Sequence, residues 1–208
     1  MGIPRIEPYA LPGSADLPLA RVDWEIDVGR AALLVHDMQR HFVGAFTEAS
    51  DPIAGAVRNI AALSRYCRRA GVPIFYTAQP GDQDPLDRGL QADFWGPGMS
   101  SRDQAIVDEL TPEPEDFVLT KWRYSAFQRT PLEEMLRARG RSHLLITGVY
   151  AHIGCLLTAA DAFMRDVKPF IVGDAVADFS RASHDQALAY AAGRFARVVT
   201  TEQVIAPK

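Results

Sequence analysis

The 208-residue sequence is short of cysteine, of positive charge and of long apolar runs, and each shortage removes a class of function. Its two cysteines, Cys67 and Cys155, lie far apart and lack ligand spacing, so neither a disulfide framework nor a zinc site is indicated. The formal net charge of -4 argues against nucleic acid, which calls for a basic face. No apolar stretch reaches the length of a membrane span, and residues 1–7 lack the apolar core of a signal peptide, so a cytoplasmic location is the default expectation. No glycine-rich phosphate loop opens a helix. The segment after the first apolar run reads Asp37-Met38-Gln39-Arg40, and there is neither a P-loop nor a G-x-S-x-G elbow. His36, His41, His143, His152 and His184 form no H-E-x-x-H pair. Neither a dinucleotide nor a metal is therefore expected, and no cofactor is assigned.

What is present is an alternation. The apolar content of 48% is that of an ordinary globular protein, and a chain of this length buries roughly 70% of its unfolded surface as one domain. Residues 1–30 are rich in proline and read as an arm lying across the surface of a single domain at 31–208. Strand-length apolar runs follow at 31–35, 73–77, 117–120, 144–149, 169–172 and 198–200. Helical spacing falls at 53–70, closed by Gly71 and Pro73, and at 131–139, where Thr130 is the expected cap and Pro131 the first helical residue. A helix is expected from the fourth strand to about Asp166, another at 183–195, and a short one at 102–110; residues 80–101 read as a long loop. Continuous apolar strands separated by helices mean a parallel sheet covered on both faces. The fold class expected is α/β: a three-layer α/β/α domain with a six-stranded parallel sheet, Rossmann-like in arrangement.

In such sheets ligands bind beyond the carboxyl ends of the strands, so the residues just past each run are the ones to inspect. They are His36 and Asp37, then Gln79, then Lys121, Trp122, Arg123 and Tyr124, then Tyr150, His152 and Gly154. An acid, an amide, a base and a small-residue turn thus converge on one edge, which points to an enzyme. A mildly anionic protein acting on an anion must gather cations locally. His36 and His152 read as structural histidines, and Cys67 and Cys155 as small buried hydrophobes.

These segments also carry a resemblance. Leu33-Leu34-Val35-His36-Asp37-Met38-Gln39, Tyr76-Thr77-Ala78-Gln79-Pro80, Asp93-Phe94-Trp95-Gly96-Pro97-Gly98, Thr120-Lys121-Trp122-Arg123-Tyr124-Ser125-Ala126-Phe127 and Gly148-Val149-Tyr150-Ala151-His152-Ile153-Gly154-Cys155 together resemble the isochorismatases of catechol-siderophore biosynthesis. The likeness runs along essentially the whole chain, and the phenazine-pathway hydrolases of 2-amino-2-deoxyisochorismate are similar almost everywhere. Both belong to a wider group of cysteine hydrolases, nicotinamidases included, that use an Asp-Lys-Cys triad. Counted back from Asp161-Ala162, the position matching the nucleophile falls on Gly154, and Ala78-Gln79-Pro80 stands where the amidases carry a metal-binding Asp-x-His.

The resemblance implies Asp37, Lys121 and Gly154 as the catalytic set. Gln79, Arg88, Trp95, Tyr124, Tyr150 and the Gly154 backbone would surround the substrate, with Phe42 as an apolar wall and a non-proline cis peptide between Val149 and Tyr150. It implies hydrolysis of the enol-pyruvyl ether of isochorismate to 2,3-dihydro-2,3-dihydroxybenzoate and pyruvate. Such an ether needs a proton on its methylene carbon rather than a thiol, and a positioned acid supplies about 10²–10⁴ in rate. Asp37 is expected to take up its proton when the dianionic substrate binds, and glycine at 154 to leave room for the enol-pyruvyl group. The alternatives are the 2-amino substrate, an ordinary amidase, and a non-catalytic scaffold for aryl carrier loading. A homodimer and siderophore synthetase partners are family expectations. The end at Ala206-Pro207-Lys208 leaves no room for the carrier domain that often follows, so the chain is expected to be free-standing or trimmed.

Overall fold

The computed structural model describes residues 3–47 and 49–206. The last two residues, which bound the expected domain, lie outside it. Six parallel strands form one sheet in the order β3-β2-β1-β4-β5-β6: β1 Ala31–His36, β2 Ile74–Ala78, β3 Phe117–Thr120, β4 His143–Val149, β5 Lys168–Ala177 and β6 Arg197–Val199. The central strands are buried on both faces because they are continuous apolar runs. Along β1, Leu33 and Val35 pack into one core and Ala32 and Leu34 into the other.

The helices fill those two layers. After a short α1 (Arg40–Val43), α2 (Ile53–Arg69) turns Ile53, Ala56, Ile60, Leu63 and Cys67 to the first core at helical spacing, and Asp51 caps it by accepting from Gly55 N at 2.9 Å. The segment expected as a loop holds α3 (Pro85–Arg88) and α4 (Gln91–Trp95). Asp84 Oδ1 accepts from Leu86 N at 2.8 Å, and proline follows it as the first helical residue, a start signal hidden by the surrounding glycines. The helix expected at 102–110 is instead two separate 3₁₀ turns, Ser101–Asp103 and Asp108–Leu110. On the second face lie α5 (Leu132–Ala138), α6 (Leu156–Phe163), which follows one wide π turn at Ala151–Cys155, and α7 (Arg181–Arg194). Ser180 caps α7, so that helix begins earlier than its apolar period shows. A terminal α8 (Thr201–Ile205), absent from the sequence reading, is held by a capping box between Thr200 and Gln203.

Residues 3–30 contain short 3₁₀ turns, and Ile6 is pinned in the first core beside Phe46. Among the described residues no helix is long and apolar enough to cross a membrane. Strand order reverses between β1 and β4, and that is where the site lies.

Candidate functional site

Asp37 stands one residue past β1 with φ +50, a left-handed backbone that aspartate tolerates better than most residues. Its carboxylate is where three strand ends meet. Oδ1 accepts from Thr77 Oγ1 at 2.6 Å, and Oδ2 accepts from Lys121 Nζ at 2.7 Å and Gln79 Nε2 at 3.0 Å. Thr77 and Gln79 come from the end of β2, and Lys121 from the end of β3. Lys121 is only 1% exposed and Asp37 4%, so the pair has little competing water. Burial by itself would raise the Asp37 pKa. The Lys121 ammonium, with the bonds from Lys121 and Thr77, outweighs it and holds the carboxyl below its ordinary 3.8. The resting carboxyl is therefore held in its ionised form.

Gln79 is fixed from behind. Gln39 accepts from Gln79 N and donates to Gln79 O, both at 2.8 Å, so its amide clamps that backbone as a neighbouring strand would. Arg88 Nη1 donates to Gln79 Oε1 at 3.3 Å, and Arg88 Nε to Gly96 O at 3.1 Å. Arg88 is buried at the end of α3, whereas Arg102 is exposed and contributes nothing to the cavity wall. Trp95, the last residue of α4, donates from Nε1 to Tyr124 Oη at 2.7 Å. Tyr150 donates to Phe42 O at 2.9 Å, with the two rings edge to face at 6.0 Å. The peptide joining Val149 to Tyr150 is cis.

These groups enclose a cavity of about 300 Å³. Every residue singled out from the sequence lines it: Asp37, Phe42, Gln79, Arg88, Trp95, Lys121, Tyr124, Tyr150 and Gly154. His36, read from the sequence as structural, lines it too, as do His41, Gln91 and Phe179, which the sequence did not single out for the site. Gln91 is buried, and among the described residues its Oε1 has no hydrogen-bond partner. Phe179 follows Asp178, and both sit just past β5; had that strand been read through to Ala177, the strand-end rule would have found them. Asp178 accepts from the backbone of His152 and of Phe179, each at 2.7 Å, and from the His152 ring, and so fixes the Phe179 wall. No group of three or more His, Cys, Asp or Glu among the described residues could hold a metal ion.

The sulfur question has a clear geometric answer. Cys155 is wholly buried in the second core with its thiol 3.8 Å from Thr147 O, and burial pushes its pKa well above 9. Gly154, one residue earlier, is the residue that faces the cavity. The room left by the missing side chain is not open as expected. A Cβ at 154 would lie 2.1 Å from His36 Cε1, so the imidazole already fills that place. His36 Nδ1 lies 2.9 Å from Val149 O and Nε2 lies 3.2 Å from Tyr124 O. Burial holds the His36 pKa below its ordinary value, and both of its ring nitrogens face carbonyl oxygens.

A family model described as the isochorismatase domain matches residues 31–203. The chain belongs to the isochorismatase family. This isochorismatase-family chain is 55% identical over 207 residues to enterobactin synthase component B of Escherichia coli (strain K12), covering 99% of itself and 73% of that protein. It is equally identical over 207 residues, 99% of itself and 66% of the other, to a Bacillus subtilis (strain 168) protein named isochorismatase. Among solved structures, a cysteine hydrolase from Pseudomonas syringae pv. phaseolicola superposes with a TM-score of 0.78 at 28% identity, over 90% of this chain and 95% of that one. The fold is thus shared with thiol enzymes, while the wall of this family member's cavity carries no thiol at 154.

Proposed function

We propose that the protein hydrolyses the enol-pyruvyl ether of isochorismate to 2,3-dihydro-2,3-dihydroxybenzoate and pyruvate. The observation that carries this reading is a buried carboxyl–ammonium pair opening on a cavity where no sulfur stands at the nucleophile position. In this reading Lys121 hands its proton to Asp37 when the dianionic substrate binds, and Asp37 passes it to the terminal methylene carbon, giving an oxocarbenium ion. The Asp37–Lys121 pair falls from neutral to a single negative charge, which faces the cation it has created. Water adds to the cation and returns its proton to the pair; the hemiketal then breaks to pyruvate and a ring hydroxyl, so atoms and charge balance.

Isochorismate is a dianion. Arg88 and Lys121 supply two cations to the wall against the one carboxylate of Asp37, so the cavity attracts an anion although the chain is acidic overall. A second carboxylate near the pair disfavours the ionised form of Asp37 and keeps the proton available for transfer. Tyr150, Phe42 and Trp95 give the ring an apolar seat, and Tyr124 and Gln91 offer polar contacts to ring hydroxyls. On the same reading residues 31–208 act as one hydrolase domain beneath the N-terminal arm, working as a cytoplasmic homodimer in siderophore biosynthesis alongside the synthetases that consume the product.

Turnover of isochorismate in heavy water tests the chemistry. Protonation on carbon places one solvent deuterium in the methyl group of the first-formed pyruvate. Pyruvate released without that label would sink the mechanism, and release only from the 2-amino analogue would move the substrate to the phenazine type.

A further inference from the structure

Two glycines enclose His36, and both contacts are too close for a side chain. Gly148, with φ +105, is paired with His36 across β1 and β4; a Cβ there would lie 2.1 Å from His36 O. Gly154 faces the ring itself: a Cβ would lie 2.1 Å from Cε1, 2.8 Å from Nε2 and 2.9 Å from Nδ1. The ring cannot swing aside cheaply. It is 1% exposed, and its nitrogens sit against the carbonyls of Val149, the last residue of β4, and of Tyr124, on the loop after β3. Tyr150 follows Val149 directly, Tyr124 makes the contact to Trp95, and the same ring lies 3.8 Å from Asp37 Oδ2.

We propose that His36 is a positioning residue that fills the volume of the absent nucleophile side chain and braces the Tyr124 and Val149 loops around Asp37, and that position 154 is glycine because the imidazole is there. Histidine at 36 and any side chain at 154 are then mutually exclusive. The inference adds a positioning role to the hydrolase reading above, but its steric half stands without any substrate.

A double-mutant cycle tests it, read first by thermal unfolding and then by pyruvate release. Gly154→Ala should unfold well below the wild type and lose about 100-fold or more in kcat/KM, a loss of about 2.7 kcal/mol in transition-state stabilisation. His36→Ala should raise KM about tenfold while kcat changes less than threefold, and His36→Gln, which keeps a donor for Val149 O, should recover most of that KM. Adding His36→Ala to Gly154→Ala should restore more than half of the lost melting temperature, whereas independent sites would simply add their costs. If Gly154→Ala does not fold, the double variant decides: folding supports the proposal and failure overturns it. A thiol introduced by Gly154→Cys should react with iodoacetamide in the His36→Ala background, where the cavity wall is open to it. Additive costs, a near-normal Gly154→Ala, or an unreactive introduced thiol would each overturn the proposal. The melting and alkylation measurements use no substrate, so they hold even if isochorismate is the wrong one; a wild type that releases no pyruvate would instead sink the hydrolase reading alone.

Discussion

Asp37 and Asp178 are both buried aspartates at the carboxyl edge of the same sheet, and they are satisfied in opposite ways. Asp178 takes two backbone N–H groups and the His152 ring; its donors belong to the turn it holds, and it does not line the cavity. Asp37 takes three side-chain donors from the ends of two other strands, and it opens on the cavity. The donors of Asp178 tie the turn after β4 to the turn after β5, whereas those of Asp37 set an ammonium and an amide against a carboxylate that faces the cavity. Equal burial therefore says little about role; the identity of the donors decides it.

Five expected outcomes bear on that contrast, ordered from the largest effect to the smallest. Asp37→Asn should lose about 10²–10⁴ in kcat with KM nearly unchanged, as measured by pyruvate release, because only the general acid is gone. Near-normal turnover would erase the distinction between the two carboxylates. Lys121→Met should cost about 3–5 kcal/mol of stability by denaturant unfolding, since it strands the Asp37 charge away from water, and turnover should collapse with it. An Asp178→Asn variant should cost about 1–3 kcal/mol and raise KM several-fold through the Phe179 wall, while leaving kcat within threefold. A kcat loss as deep as that of Asp37→Asn would place Asp178 in the chemistry.

The smallest effect concerns pH and thiols. Because the folded Asp37 pKa lies below its ordinary 3.8, ionisation of this group stabilises the fold above that value, and the contribution is lost as pH falls through the depressed folded value. Melting curves of wild type and Asp37→Asn should therefore converge as the pH is lowered from about 4, while remaining parallel above it. Alkylation of the native enzyme should change nothing measurable. Cys155 is sealed in the core, and burial pushes the Cys67 thiol up to about 12, so neither presents a thiolate near neutrality. Rapid inactivation by iodoacetamide would return the protein to acyl-transfer chemistry.

Much of this was legible before any fold was known, and the failures have specific causes. The strands were visible as apolar runs because both faces of each are covered, but β5 was cut short at 172. Gly173 and Asp174 look like a strand end, yet the strand runs on to Ala177 through a bulge opposite β4. With it went Asp178 and Phe179. Helices α3 and α4 are hidden in the sequence because glycine and proline read as loop, although Asp84-Pro85 is a helix start. Asp37, Gln79 and Lys121 were found because each directly follows a strand. Gln91 was not, because nothing local distinguishes a buried amide from a solvated one.

The layered sheet, the edge on which the site lies and the absence of sulfur at position 154 follow from residue order alone, through periodicity or the kind of residue at a strand end. That Lys121 reaches Asp37, that Cys155 turns away and that His36 occupies the place of the missing side chain follow from packing. Those are distances between residues far apart in the chain, and they exist only once β1, β3 and β4 have been brought side by side.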